Sequence, residues 1–181
     1  LNLEAAEDVA TTVEIMPMSF MSVQSISEVI VDASKLQSVK NMYLIGISYP
    51  LVEVTESYHE VPATIWAGVT ELADLKDNIV PANQMTLGFD GKFDIAPGMS
   101  TIDFFFNKSN VEYKGGNLAI MVHKAISNTN RYGVSFRGDY GYGHTHDNIS
   151  RFDASFSADD ATPFNPNEIF GYGGQNIIPD M

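Results

Sequence analysis

The sequence predicts an all-β protein, namely a two-sheet antiparallel β-sandwich or jelly roll with one or two short helical turns. Turn-forming Gly, Pro, Asn and Asp residues recur at short intervals, and β-branched and aromatic residues dominate between them. The chain is 44% hydrophobic and 11% aromatic, which is enough to fill a two-layer core, and it contains no Cys. Stability is therefore expected to come from core burial rather than from disulfides.

The length favours one domain. A chain of 181 residues can bury a full core, whereas two sandwiches of half that size would each be unusually small. The acidic, Ala-rich segment over residues 1–12 is expected to be an N-terminal arm or linker, left by cleavage or joining a neighbour. Residues 13–181 are expected to form a single β-sandwich domain.

The strands are predicted from period-2 alternation between turn signals. They are Val13–Met21, Met42–Tyr49, Ala63–Ala67, Met85–Phe89, Lys92–Ile95, Thr101–Phe106, Leu118–Val122, Tyr132–Arg137 and Arg151–Phe156. Two segments predict helical turns. Ser25–Glu28 has capping-box spacing, and Thr70–Asp77 carries Leu residues three apart.

The segment from Gln84 to His123 contains the strongest turn signals of the chain. Asp90-Gly91 favours a tight hairpin, Pro97-Gly98 favours a β-turn, and Gly115-Gly116 precedes an apolar run. These signals predict four consecutive strands of an antiparallel meander. We expect Gly91 and Gly116 to adopt backbone angles that other residues resist.

Side-chain alternation predicts which faces are buried. The strand Leu118–Val122 is apolar on both faces, so it should be covered on both sides and lie centrally in its sheet. Ile102, Phe104 and Phe106 share one face of their strand, and Phe105 lies on the other. The residues predicted for the core are Leu118, Ile120, Phe104 and Phe106.

The charge balance excludes some partners. Twenty-three acidic against ten basic side chains give a formal net charge of −13. Like-charge repulsion opposes binding to nucleic acid and to anionic membrane surfaces. Because the chain has no run of about 18 apolar residues, it is not expected to insert into a membrane.

Candidate binding residues concentrate in the Gly- and Tyr-rich part of the chain after residue 131. Tyr140, Tyr142 and Tyr172, with His144, are predicted to form a recognition surface, because exposed rings beside polar groups can stack on a sugar. The alternative for each Tyr is a lid packed on the end of the sandwich. Trp66 lies in an alternating strand, and we expect a core residue there rather than a platform.

Acidic residues in the same region suggest calcium, which prefers oxygen ligands from loops. The candidate ligands are Asp139, Asp147, Asp159 and Asp160. No EF-hand spacing organises these residues, so solvated loop carboxylates remain the alternative. His144 and His146 have the only spacing that suggests a transition metal, but they provide just two local ligands, and a solvated polar loop is favoured there.

A family resemblance rests on the segment QMTLGFDGKFDIAPG and the later YKGGNLAIMV. In order and spacing these motifs resemble a β-sandwich module that recurs in secreted and surface proteins of Bacteroidetes bacteria. The similarity continues through Arg151–Ser157, the segment DDATPFNP and residues 176–180. It implies an extracellular or cell-surface location, exposed at the outer membrane, and an adhesin-like or glycan-associated role.

Two functions are compatible with these observations. The first is a non-catalytic surface module that mediates adhesion by binding a surface glycan or a protein partner. It is favoured because nucleophile motifs and phosphate-binding loops are absent from the sequence and no carboxylate pair is singled out. The alternative is a structural or assembly spacer that contacts neighbouring domains of the same surface protein or filament and binds no small ligand.

Overall fold

The fold is all-β, with 51% of residues in strands and 7% in helices. A computed structural model describes residues 11–127, 133–140, 149–157, 162–175, 177–179 and 181. Within these residues the strands are β1 Thr11–Val13, β2 Gln24–Val31, β3 Met42–Leu44, β4 Gly46–Val54, β5 Tyr58–Thr70, β6 Thr86–Ile95, β7 Thr101–Phe105, β8 Val111–Tyr113, β9 Asn117–Lys124, β10 Val134–Tyr140, β11 Ser150–Ser155, β12 Tyr172–Gln175 and β13 Ile177–Pro179. The first of them begins at Thr11, inside the segment that was expected to be an arm.

The strands form two large sheets and a small one. The six-stranded sheet has the order β12-β11-β2-β9-β5-β6, and the five-stranded sheet has the order β1-β10-β4-β7 with β13 also paired to β10. A separate pair joins β3 to β8. All pairings are antiparallel among the described strands. The predicted two-sheet antiparallel sandwich is therefore confirmed.

The main core lies between the two large sheets. Aromatic rings fill its centre, where Phe104 contacts Phe89 and Phe93 at centroid distances of 5.1 Å in edge-to-face geometry. Leu118 and Ile120 are buried in the same cluster, and Phe106 is partly buried against it. The predicted core residues are thus confirmed.

Strand β9 is the centre of the six-stranded sheet. It pairs with β2 on one side and with β5 on the other, and Leu118–Val122 is buried throughout. Leu118 and Ile120 face the main core, whereas Ala119 and Met121 belong to smaller clusters on the outer face of the sheet. The expectation of a central strand covered on both sides is confirmed.

The predicted hairpin at Asp90-Gly91 is wrong. Strand β6 runs through this dipeptide without a turn, and Gly91 pairs with Ala63 of β5. The long strand β5 supplies a continuous partner on one side. On the other side the Asn107 side chain accepts from the Asp90 N–H at 3.1 Å and donates to the Asp90 carbonyl oxygen at 3.0 Å. Tertiary pairing therefore overrides the local turn preference.

The predicted meander is also wrong, because consecutive strands belong to different sheets. Strand β6 lies in the six-stranded sheet and β7 in the five-stranded sheet, while β6 and β9 are separated by β5. The other turn predictions hold. Pro97 and Gly98 form a turn with φ of 90° at Gly98, and Gly116 has φ of 96°.

Neither predicted helical segment is helical. Ser25–Glu28 lies in β2, which is buried at every residue between β9 and β11, and Thr70–Asp77 contains no helix. Burial on both sheet faces outweighs the capping pattern. The 3₁₀ helices instead span Ala33–Val39, where the Asp32 side chain caps the Ser34 N–H, and Ala82–Gln84.

Two strand predictions differ most from the structure in their bounds. The segment Met42–Tyr49 is divided at Ile45 into β3 and the start of β4, which pair in different sheets. The segment Val13–Met21 is extended only at Val13, where β1 ends. Apolar alternation alone does not reveal where a chain leaves one sheet for another.

Candidate functional site

The described residues form an apolar cleft at one end of the sandwich, which we call the end cleft. Its volume is about 430 Å³. It is lined by Leu36, Val39, Met42, Tyr43, Leu44, Ile45, Gly46, Ile47, Ser48, Asp103, Phe104, Phe105, Leu118, Ile120 and Met181. A volume of this size with mostly apolar walls is typical of ligand-binding pockets.

The floor of the end cleft is part of the main core. Leu118 and Ile120 project from β9, and Phe104 projects from β7 in the opposite sheet. Leu36 of the longer 3₁₀ helix is also buried in this cluster. The cleft therefore penetrates between the two sheets and does not lie merely on the surface.

The rim of the end cleft exposes large apolar side chains. Met42 is 54% exposed, Tyr43 59%, Ile45 61% and Phe105 72%. Single exposed apolar residues are ordinary, but several around one concavity mark an interaction site. These exposed side chains therefore contribute little to the core.

Polar groups are sparse in the end cleft. Asp103 is the one charged residue of the lining, and its carboxylate accepts a hydrogen bond from the Ser48 hydroxyl. Paired β4 and β7 place these two residues opposite each other on the outer face of the five-stranded sheet. The site can thus offer a large apolar contact with one acidic group beside it.

A second unusual region lies on the outer face of the six-stranded sheet, where polar side chains are buried. Arg151 of β11 is 3% exposed. Its guanidinium donates hydrogen bonds to the carbonyl oxygens of Leu75, Lys76, Phe170 and Gly171, at 2.7 to 3.2 Å. The Arg151 side chain therefore links two segments that cover the sheet, residues 75–76 and 170–171, to β11. We call this region the buried polar cluster, formed by Arg151 and Glu28.

Glu28 lies directly opposite Arg151 on the neighbouring strand and is fully buried. Burial raises the pKa of Glu28 to about 8, although the Val80 N–H and the Arg151 charge act in the other direction. The Val80 N–H donates to its Oε1 at 2.9 Å, and Oε2 has no partner among the described atoms. At neutral pH this carboxyl is therefore mainly protonated.

His123 of β9 is half-buried on the outer face of the same sheet, where its ring lies 6.4 Å from the ring of Phe164. Burial, with a smaller contribution from the Lys124 charge, lowers the pKa of His123 to about 4, so its ring is neutral under ordinary conditions. Its Nε2 is buried without a partner among the described atoms. Lys124 points to the other face, where its ammonium donates to the Ser22 carbonyl oxygen at 2.8 Å.

The structure only partly places the predicted binding residues. Tyr142 and His144 lie outside the described residues. Tyr140 and Tyr172 were expected in loops, but they lie in β10 and β12 of different sheets, because their backbones pair with Ile177 and Phe152. Sheet pairing of this Gly- and Tyr-rich sequence corrects the loop assignment, and the proposed role of these rings stays a prediction.

The predicted calcium ligands are placed to the same limited extent. Asp147, Asp159 and Asp160 lie outside the described residues, whereas Asp139 lies in β10 opposite Ile178 rather than in a loop. Within the described part of the chain, no group of three or more His, Asp or Glu side chains could hold a metal ion. The calcium site therefore stays a prediction.

The remaining candidates do not converge on one site. Trp66 is partly buried against the cluster of Ile26 and Met121, as expected for a core residue. His59 is exposed and lies 3.8 Å from Asp94, whereas His123 is half-buried in β9.

Sequence reasoning missed the end cleft. The run of four apolar residues from Met42 to Ile45 was the available signal, because a half-buried strand should alternate and this segment does not. We interpreted it as the start of one strand. The structure shows instead that Met42–Leu44 pairs with β8 in the small sheet and that the side chains of Met42, Tyr43 and Ile45 are exposed.

Comparisons of the chain with protein-family models, with curated proteins and with solved structures found no match. The resemblance to the Bacteroidetes surface module therefore stays a prediction. In the described part of the chain, no helix has the length and apolarity required to cross a bilayer.

Proposed function

We propose that the protein is a non-catalytic, extracellular or cell-surface β-sandwich module that mediates adhesion, and that the end cleft is its binding surface. The observation that supports this proposal is the exposed apolar rim around a cavity of about 430 Å³ that reaches core residues. Leaving such side chains in water costs solvation free energy, and a bound partner would recover it.

The partner in this proposal is a surface glycan or a protein. Tyr43 and Phe105 offer ring faces to a ligand, and Asp103 can accept hydrogen bonds beside them. The resemblance to surface modules supports the extracellular location and the adhesive role. The Tyr140, Tyr142, His144 and Tyr172 set remains a second proposed surface, with a calcium ion at Asp139, Asp147, Asp159 and Asp160 as its proposed support.

The test is adhesion of the purified protein to cells and to a glycan array. We expect the double variant Tyr43→Ala/Phe105→Ala to lose most of the binding. Phe156→Ala is the matched control, because Phe156 is 61% exposed and does not line the end cleft. Equal loss in the control, or full binding by the double variant, would exclude the end cleft as the adhesive surface.

The second proposed surface, formed by Tyr140, Tyr142, His144 and Tyr172, can be tested in parallel. Tyr140→Ala/Tyr142→Ala should weaken adhesion only if those rings take part in it. Melting curves with calcium and with a chelator test the ion, since an ion bound to the folded state raises the melting temperature by mass action. Identical midpoints would exclude calcium.

The spacer function is the second candidate, and the same exposed rim supports it. In an assembly module the rim of Met42, Tyr43, Ile45 and Phe105 would be covered by a neighbouring domain rather than by a foreign ligand. A spacer predicts no binding to cells or glycans and contact with a neighbouring domain at the rim. Cross-linking from the rim in the intact parent protein separates the two functions.

A further inference from the structure

Beside the end cleft, one edge of strand β4 has no partner among the described strands. Over Gly46–Pro50 it is bonded to β7 on one side, and β10 joins its other side only from Leu51 to Val54. Beyond this stretch, at Gly138–Tyr140, β10 pairs with β13 instead of with β4. None of the described residues pairs with the free side of β4 over Gly46–Pro50.

The hydrogen-bond pattern shows which backbone groups point to this free side. The Phe106 N–H donates to the Ile45 carbonyl oxygen at 2.9 Å, and the Leu51 N–H donates to the Ser100 carbonyl oxygen at 2.8 Å. In an antiparallel ladder, bonded pairs alternate with non-bonded pairs. Odd-numbered residues of β4 therefore bond to β7, and the even-numbered residues direct their backbone groups away from it.

The free edge thus presents the N–H and carbonyl groups of Gly46 and Ser48 and the carbonyl group of Pro50. Pro50 is one of the even-numbered residues that point away from β7. Because Pro has no N–H, this position leaves no backbone donor without a partner. Gly46, Ile47 and Ser48 also line the end cleft. A polar backbone edge and an apolar cavity therefore lie side by side.

This combination is what a sheet needs in order to accept an added strand. Main-chain hydrogen bonds supply affinity, and pockets for alternate side chains supply specificity. We propose that the end cleft binds an extended peptide segment of a partner protein, which pairs with β4 at Gly46–Pro50 and inserts alternate apolar side chains above Leu118 and Ile120. This inference rests on the proposed function, because it names the partner class of the same site.

The charges of the site define the peptide further. The lining contains Asp103 and no Lys or Arg, and the chain carries a net charge of −13. A neutral or basic segment is therefore favoured over an acidic one. A second copy of this chain is disfavoured, because two such acidic proteins repel each other.

The length of the free edge sets the size of the segment. Five residues of strand span about 17 Å. Side chains of one face would fill the cavity of about 430 Å³, and those of the other face would lie near Ser48 and Asp103 in solvent. The expected motif alternates apolar residues with Thr, Ser or Lys.

The experiment uses an array of heptapeptides with Val, Ile, Leu or Phe at alternate positions and either Thr and Lys or Thr and Glu between them. We expect the wild-type protein to bind members of the Lys series more tightly than their Glu counterparts. Ser48→Pro removes an outward N–H of β4 and should weaken binding about tenfold or more. Binding that is unchanged by Ser48→Pro would overturn the proposal.

Two matched variants control for other effects of that substitution. Ser48→Ala loses the hydroxyl bond to Asp103 but keeps the N–H, and Thr101→Pro removes the equivalent outward N–H from β7, on the far edge of the same ladder. Both should bind within about twofold of wild type, since neither removes a hydrogen bond to the peptide. If both weaken binding as much as Ser48→Pro, strand addition at β4 is wrong.

Modified peptides give a second test that leaves the protein intact. Methylation of alternate backbone nitrogens removes the donors of one peptide edge. We expect one of the two alternating sets to abolish binding and the other to be tolerated. If both methylated sets bind equally well, the peptide backbone donates no hydrogen bonds to β4.

The outcomes also separate this inference from the proposed function. Adhesion that depends on Tyr43 and Phe105, with no binding to any peptide, would overturn strand addition and leave the end cleft as a site for a glycan or small apolar ligand. Self-association that is lost in Ser48→Pro would assign the edge to a second copy and overturn the partner peptide. If Tyr43→Ala/Phe105→Ala keeps both adhesion and peptide binding, the proposed function of the end cleft and the strand addition at β4 are both wrong.

Discussion

The buried polar cluster and the end cleft depart from the usual distribution of side chains in opposite directions. In the cluster, Arg151 and Glu28 are buried beneath covering segments. In the end cleft, Tyr43 and Phe105 are left more than half exposed. Polar groups are normally outside and large apolar groups inside, so each region requires an explanation.

The difference lies in the partners of the Arg151 guanidinium and of the rim side chains. Arg151 uses its donors on carbonyl oxygens of two chain segments, so the cluster holds those segments to the six-stranded sheet. The rim residues and the free edge of β4 have no comparable partner among the described residues. A buried side chain whose hydrogen bonds are satisfied stabilises the fold, whereas the exposed apolar groups beside the cavity form the surface that we propose for binding.

The largest expected effect is loss of the Arg151 side chain. Arg151→Met keeps an apolar stem but leaves buried carbonyl oxygens without donors, so unfolding free energy should fall by about 3 to 5 kcal/mol. Urea denaturation measures the change. Lys92→Met is the control, since the Lys92–Glu60 pair is 58% and 76% exposed and should matter by less than about 1 kcal/mol. A loss below about 1 kcal/mol in Arg151→Met would mean that the cluster is not structural.

The pH dependence of stability tests Glu28 in the same cluster. Its folded pKa of about 8 lies above the usual 4.5, so its stabilising contribution is complete below pH 4.5 and is lost as pH rises through 8. Relative to Glu28→Gln, wild type should lose stability between pH 5 and pH 9, with a slope approaching about 1.4 kcal/mol per pH unit. Urea denaturation of both proteins across this range measures the difference.

The comparison with Glu28→Gln is needed because two neighbours also titrate. His123, with a pKa near 4, lowers stability as pH falls from 6.5. Lys124, with a pKa near 7, raises stability as pH climbs from 7 toward 10.5. Both contributions cancel in the difference between the two proteins. Parallel curves for wild type and Glu28→Gln would show that the carboxyl is not held protonated.

A smaller effect is expected at the turn that leads into β9, the strand shared by both regions. Gly116 has φ of 96°, and an added Cβ would lie 2.9 Å from Val69 Cγ1. Gly116→Ala should therefore cost about 1 to 3 kcal/mol. Gly98 also has a positive φ, but an added Cβ there would meet no atom within 4 Å. Gly98→Ala, measured in the same denaturation assay, therefore gives the cost of the backbone conformation alone.

Gly91→Ala is the contrasting case, because Gly91 lies inside β6. Its φ is not in the left-handed region, and the nearest atom to an added Cβ is Phe89 Cζ at 3.2 Å. The ring can shift slightly, so the expected loss is below that of Gly116→Ala. If Gly91→Ala lowers the unfolding free energy more than Gly116→Ala does, the hairpin that the sequence predicted at Asp90-Gly91 is supported.

These glycines show what could and could not be predicted from sequence. Gly98 and Gly116 follow segments whose local chemistry and tertiary pairing agree, and their turns were predicted correctly. At Asp90-Gly91 the turn preference is about as strong, but β5 and Asn107 satisfy the straight backbone. Information about a distant partner is not contained in a dipeptide.

The candidate site was less predictable than the fold for a related reason. Alternation identified the inward faces of β7 and β9, because burial on one face is a local property. The end cleft depends on where β4 diverges from β10 and on the lack of a strand beside Gly46 and Ser48 among the described residues. An absent neighbour leaves no pattern in the sequence of the strand that lacks it.

The smallest effect on stability is expected at the rim, and it is the one that most directly tests the comparison. Tyr43→Ser/Phe105→Ser removes two rings that are 59% and 72% exposed, so unfolding free energy should change by less than about 1 kcal/mol. Binding of the neutral apolar dye Nile red should nevertheless fall, because the dye loses its contacts at the mouth of the end cleft. Phe156→Ser, which removes a ring that is 61% exposed elsewhere, should change neither property. If the rim variant instead unfolds as readily as Arg151→Met, the rim is part of the core and the functional distinction between the two regions is wrong.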